Sequence, residues 1–138
     1  MYTFDYSCND CEPSSVFPKG SRVCRPYVRT VLKRDTWHSH EFDALVDTGA
    51  DYCSFPARWV GITDEEWETL PSLDLDTIKG DRTLRFAWMD VTIEKIGKVE
   101  IYAGLTKDRV EIGVLGNHGF LDRYKAAFDL ATETFTIS

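Results

Sequence analysis

The segment Ala44-Leu45-Val46-Asp47-Thr48-Gly49-Ala50-Asp51 places a carboxylate directly after an apolar run, in a turn that Gly49 allows to fold back sharply. A carboxylate at the end of a hydrophobic strand loses hydration, and it is tolerated there only if donors replace the lost water. The Thr48 hydroxyl and the amides of Gly49 and Ala50 are at hand for that purpose. The chemistry such a carboxylate suits is activation of a water molecule. A solubilising aspartate in a tight turn is the competing reading of Asp47, and a turn or helix-cap acid competes with a substrate role for Asp51.

A second constellation is Cys8-x-x-Cys11 with Cys24, which could hold zinc if His38, His40 or Cys53 supplied a fourth ligand. The pair lacks its matching knuckle, so neither a metal nor an organic cofactor is expected, and His38 and His40 read as members of a solvated turn. Trp67, Phe86 and Trp88 read as core, and Asp64-Glu65-Glu66 as a favourable first turn of a helix.

The elements that must position Asp47 are extended. Tyr27-Val28-Arg29-Thr30-Val31-Leu32-Lys33 is rich in β-branched residues, and a polar turn over 34–41 leads into Phe42-Asp43-Ala44-Leu45-Val46, which together predict a hairpin. Phe55-Pro56 restricts the next strand to an edge or ends it. Thr63 with Glu66 forms a capping box, Ile62 and Trp67 a hydrophobic staple, and Pro71 closes the short helix between them. From Thr83, alternating Leu84, Phe86 and Trp88, then Val91-Thr92-Ile93, Val99-Glu100-Ile101 and Val110-Glu111-Ile112, predict an antiparallel meander. Phe120, Tyr124 and Ala127 predict a second helix of about two turns, and Phe135-Thr136-Ile137-Ser138 a terminal strand. Residues 1–25 show no sustained period and read as a loop-rich arm, leaving 26–138 as one mostly β domain. With roughly six to eight short strands and two short helices, a small closed or folded barrel is the expected architecture.

Composition narrows the class further. In 138 residues, 23 acidic against 16 basic side chains give a formal charge of -7, which disfavours nucleic acid and anionic membrane surfaces as partners. No apolar run approaches the roughly 20 residues that span a bilayer, and the first residues lack the pattern of a signal peptide, so a soluble, cytoplasmic protein is expected.

Leu45-Val46-Asp47-Thr48-Gly49-Ala50-Asp51 resembles the catalytic motif of the retropepsin-like aspartic peptidases, the retroviral proteases and their cellular relatives. Gly113-Val114-Leu115-Gly116, followed by Phe120-Leu121, is similar to the apolar-apolar-glycine segment that crosses behind the catalytic turn in that family. The resemblance covers roughly Val28 to Ile137. It implies a retropepsin-like acid protease barrel acting as a homodimer, with Asp47 as the catalytic carboxylate and Thr48 bracing the partner's loop. It further implies Gly49, Ala50 and Asp51 against the substrate main chain, and Leu115 and Gly116 supporting the turn from beneath. The implied activity is an aspartic endopeptidase acting on protein or peptide substrates. Its mechanism needs two aspartates about 3 Å apart that share one proton, and Asp35-Thr36 and Asp76-Thr77 lack the following glycine, so a second chain must supply the other. Phe135-Thr136-Ile137-Ser138 is the implied dimer element, together with residues near the N-terminus.

Three departures mark this chain. Asn117 stands where retroviral members carry an arginine that pairs with the acid at the Asp51 position. The expected flap, 77–88, has Gly80 alone among bulky Arg82, Arg85 and Phe86, and the arm 1–25 has no counterpart. These features support an alternative, a catalytically inactive module of the same fold for dimerisation or peptide binding, and the cysteine arm leaves room for a small zinc-binding regulatory protein.

Overall fold

The computed structural model describes residues 1–77, 80–109 and 111–138. In chain order it contains β1 (Tyr2–Asp5), β2 (Ser7–Cys11), β3 (Ser21–Arg25), β4 (Tyr27–Arg34), β5 (Trp37–His38), β6 (Phe42–Val46) and β7 (Ser54–Pro56). A 3₁₀ turn (Ala57–Val60) and α1 (Asp64–Thr69) follow, then β8 (Ser72–Thr77), β9 (Gly80–Ile93), β10 (Gly97–Thr106), β11 (Gly113–Leu115), β12 (Ala126–Asp129) and β13 (Thr134–Ile137).

The expected hairpin forms, with Tyr27 opposite Leu45 and Val28 opposite Ala44. Its strands belong to a ring in which β4, β6, β11, β7, β10 and β9 pair in turn and β9 returns to β4, closing a six-stranded barrel. Strand periodicity explains the closure: Val28, Thr30 and Leu32 of β4 point inward with Ala87, Met89, Val91 and Ile93 of β9 and Val99, Ile101, Ala103 and Leu105 of β10, all buried. The meander is one long β9–β10 hairpin, from Ile93 opposite Gly97 to Arg85 opposite Leu105. Of the predicted stretch Val110-Glu111-Ile112, Val110 lies outside the described residues, and the strand that follows starts at Gly113.

The short helix is capped as its sequence predicts. Thr63 Oγ1 accepts the Glu66 N–H at 3.1 Å, and Trp67 is buried behind it. No helix among the described residues is long and apolar enough to cross a membrane.

The structure corrects three expectations. Residues 1–25 are not a loop-rich arm: β2 and β3 form a hairpin cross-linked by a Cys8–Cys24 disulfide, and Phe4 of β1 is buried in the core. The second helix, predicted over 120–127, does not form. Tyr124 N–H reaches the Phe120 carbonyl at 3.0 Å for a single turn, but Lys125 then exchanges both backbone hydrogen bonds with Ser138 and commits Ala126 onward to β12. Hairpin pairing of β12 with the strand that follows it outcompetes a helix of two turns, which is marginal on its own. Finally, the expected terminal strand forms as β13, but it is not an edge open to a second chain. It sits in the middle of a three-stranded sheet in the order β1-β13-β12, with both neighbours from its own chain.

That placement changes what truncation should do. Deleting residues 134–138 removes the buried side chains of Phe135 and Ile137, each at 1% exposure or less. Loss of two such side chains costs more than about 5 kcal/mol, close to the whole stability of a small domain. The expected result is loss of cooperative thermal unfolding by circular dichroism, rather than a folded monomer.

Candidate active site

β6 runs parallel to β11, with Val46 opposite Leu115, and β11 is flanked on its other side by β7. The Asp47 N–H donates to the Leu115 carbonyl at 3.0 Å, so the crossing segment fixes the backbone at the point where β6 ends. From there the chain turns tightly: the Ala50 N–H reaches the Asp47 carbonyl at 3.3 Å and the Gly49 N–H donates to Asp47 Oδ1 at 2.8 Å. Of the donors the sequence offered, the Gly49 amide serves the carboxylate and the Ala50 amide serves the backbone. Asp47 is half-buried at this turn, while Thr48 and Gly49 are exposed. A charge-assisted N–H bond supports the ionised carboxylate without closing it off from solvent.

Leu115 is fully buried beneath the turn. Gly116 follows it because nothing larger fits: a Cβ there would lie 2.4 Å from the Tyr52 carbonyl oxygen and 2.6 Å from that of Ala50. Its close approach lets the next two amides pair with the turn, Asn117 N–H to the Ala50 carbonyl at 2.8 Å and His118 N–H to the Asp51 carbonyl at 2.9 Å. The Asn117 side chain, in the position expected for an arginine, donates to the Thr48 carbonyl at 3.4 Å. The brace is thus made to the backbone of the turn.

Asp47, Gly49, Ala50 and Asp51 line one side of a cavity of ≈ 310 Å³, and Leu75, Asp76, Arg82 and Leu84 line the other. The second group comes from the β8–β9 hairpin, where Leu75 is opposite Arg82 and Leu73 opposite Leu84. This hairpin overlaps the stretch 77–88 expected as a flap and begins earlier in the chain, because its first arm is β8; Ile78 and Lys79 lie outside the described residues. Sequence reasoning missed Asp76 and Leu75 in the cavity. Their only signal was the alternation of Leu73, Asp74, Leu75 and Asp76, a half-buried strand pattern. Arg82 is ion-paired to Asp108 at 3.1 Å.

Cys53 is buried under the same turn, its thiol donating to the His118 carbonyl at 3.3 Å. Burial pushes this thiol from its ordinary 9.0 up to about 11. Because the unfolded chain ionises at the lower value, the contribution is complete below pH 9.0 and lost as pH rises toward about 11. It amounts to about 2–3 kcal/mol. The stability difference between wild type and Cys53→Ala, followed by urea midpoint, is therefore expected to shrink across that window; a constant difference would contradict the buried thiol.

The cysteines considered as metal ligands are dispersed. Cys8 and Cys24 are joined to each other, Cys11 is exposed on β2, Cys53 lies in the core, and His40 packs edge-on against Trp59 at 5.1 Å. The one group of potential ligands among the described residues, Cys8, Cys24 and Glu133, contains the two disulfide sulfurs. Glu133 in turn is held by Arg22 at 2.5 Å, and the hydrogen bond from that guanidinium lowers the pKa of its carboxyl.

No family model matches the chain, and no curated protein matches it in sequence. Among solved structures, a retropepsin-like aspartic protease from Rickettsia conorii superposes with a TM-score of 0.57 over 96% of this chain and 98% of that one, at 16% identity. The chain thus has the fold of a retropepsin-like aspartic protease.

Proposed function

We propose that the chain is one half of a homodimeric aspartic endopeptidase, with Asp47 of each subunit forming a dyad that activates water for peptide hydrolysis. The observation that carries this reading is the half-buried Asp47 carboxylate, held by the Gly49 amide and facing a covered cavity, on a turn locked by Gly116. In this reading the ionised member of the dyad takes a proton from the attacking water. The protonated member donates to the carbonyl oxygen of the scissile bond. Gly49, Ala50 and Asp51 lie against the substrate main chain, and the exposed Thr48 hydroxyl braces the partner's turn.

The second copy has a surface to occupy. Phe4, Phe135 and Phe128 stand in register across the three-stranded sheet, and the first two are buried. Phe128, on the outer strand β12, is 41% exposed, and Leu130 beyond it is 63% exposed. An edge strand with uncovered apolar side chains suits pairing with another chain, and we assign β12 rather than β13 as the dimer element.

Cleavage of an unbiased peptide library tests the activity directly, and its pH dependence tests the mechanism. A dyad holding one proton gives a bell-shaped rate profile on the acidic side of neutrality. A rate that keeps rising through pH 8 would exclude it. Peptide binding without turnover at any pH would favour the inactive module of the same fold.

A further inference from the structure

One face of β9 carries Arg82, Leu84, Phe86 and Trp88, since alternate residues of a strand share a face. The first two line the Asp47 cavity, and the next two line a separate groove of ≈ 510 Å³. The cover hairpin repeats the pattern: Leu75 faces the cavity, and Leu73, two residues away on the same face of β8, faces the groove. Tyr52 lines both spaces and forms the wall between them. The groove is therefore a lateral extension of the cavity along the same two strands.

Its walls are aromatic. Phe86 stacks on Tyr102 at 5.4 Å, Tyr102 meets Trp88 at 5.1 Å, and Tyr52 packs edge-on to Phe86 at 5.4 Å and stacks on His118 at 5.6 Å. The outer members are uncovered, with Trp88 56%, Leu73 38% and Tyr102 37% exposed. Exposed rings clustered around a concavity mark a binding surface, and ring-on-ring packing there rewards an aromatic occupant beyond its buried area.

We propose that this groove is a specificity subsite that receives an aromatic side chain of the peptide substrate, outward from the bond cleaved. The inference rests on the hydrolytic reading of Asp47. Leu75 to Leu73 is one strand repeat and Leu84 to Trp88 is two, so an extended peptide of similar rise reaches the groove about two to four residues from the side chain in the cavity. The preferred substrate is then an extended segment carrying Phe, Tyr or Trp at that distance, on both sides of the bond if two subunits contribute equally.

The test compares peptides that differ only by Phe or Ser at each position two to four residues from a cleaved bond, with kcat/KM measured for wild type, Trp88→Ala and Trp88→Phe. Wild type is expected to favour Phe at one of these positions by about tenfold. Trp88→Ala should reduce that ratio to within about twofold, and Trp88→Phe should retain most of it. Trp88 is largely exposed, and circular dichroism verifies that both variants fold. Cleavage by wild type with no aromatic preference, or a preference unchanged in Trp88→Ala, overturns the inference while leaving the hydrolytic reading intact. No cleavage of any peptide overturns both.

Discussion

Replacing Asp47 by Asn is expected to lower kcat/KM by at least about 10²-fold while leaving the fold intact. The amide keeps the size of the carboxyl and its oxygen still accepts the Gly49 N–H, so the turn and its lock to Leu115 and Gly116 persist. What it loses is the ability to take a proton from water. Circular dichroism and a fluorogenic peptide assay measure the two halves of the statement separately. Activity within about tenfold of wild type would exclude Asp47 as the base, whatever the fold. Loss of structure would instead show that the carboxylate charge is needed to hold the turn.

The second large effect concerns assembly. One chain carries one Asp-Thr-Gly, and a lone carboxylate lacks the neighbouring acid that stabilises the developing oxyanion. A monomer should therefore be nearly inert. Phe128→Asp places a charge on the open edge of β12, where a second copy would bury it, and this variant is expected to sediment as a folded monomer with kcat/KM reduced at least about 10²-fold. Mixing wild type with a ninefold excess of Asp47→Asn subunits leaves about one wild-type chain in ten with a wild-type partner if pairing is random. Specific activity per wild-type subunit should then fall about tenfold. A strictly monomeric species whose specific activity is unchanged on dilution would remove both the two-chain site and the mechanism assigned to it.

The two corrections that matter most for these experiments have one physical origin. The period of Phe120, Tyr124 and Ala127 fits a helix, and Phe135-Thr136-Ile137-Ser138 fits an edge strand, when each is considered alone. In the folded chain they meet: Ala126 pairs with Ile137 and Phe128 with Phe135, and β1 closes the other side of β13. The β1–β13 pairing joins residues at opposite ends of the chain, and no local pattern encodes that partner, whereas β12 and β13 form a hairpin over a short turn that competes directly with the helix. The N-terminal segment shows the same limit, because the polar β2–β3 hairpin has little alternation to reveal it, and its register brings together the Cys8–Cys24 disulfide and the Arg22–Asp10 pair across the two strands.

Local chemistry was legible without coordinates. The apolar run into Asp47 and the glycine after it specify a strand ending in a turn, and Thr63 with Glu66 specifies the helix start, because each depends on neighbours within four residues. The need for glycine at 116 was visible only as a motif. Its reason, two carbonyl oxygens within 2.6 Å of an added Cβ, exists only once β11 has crossed behind the turn. The cover over Asp47 and the aromatic groove beside it were likewise settled by packing. Leu73, Leu75, Leu84, Phe86, Trp88 and Tyr102 are ordinary alternating strand residues along the chain, and they become two adjoining cavities only where the β8–β9 hairpin and β10 bring one face of each strand together.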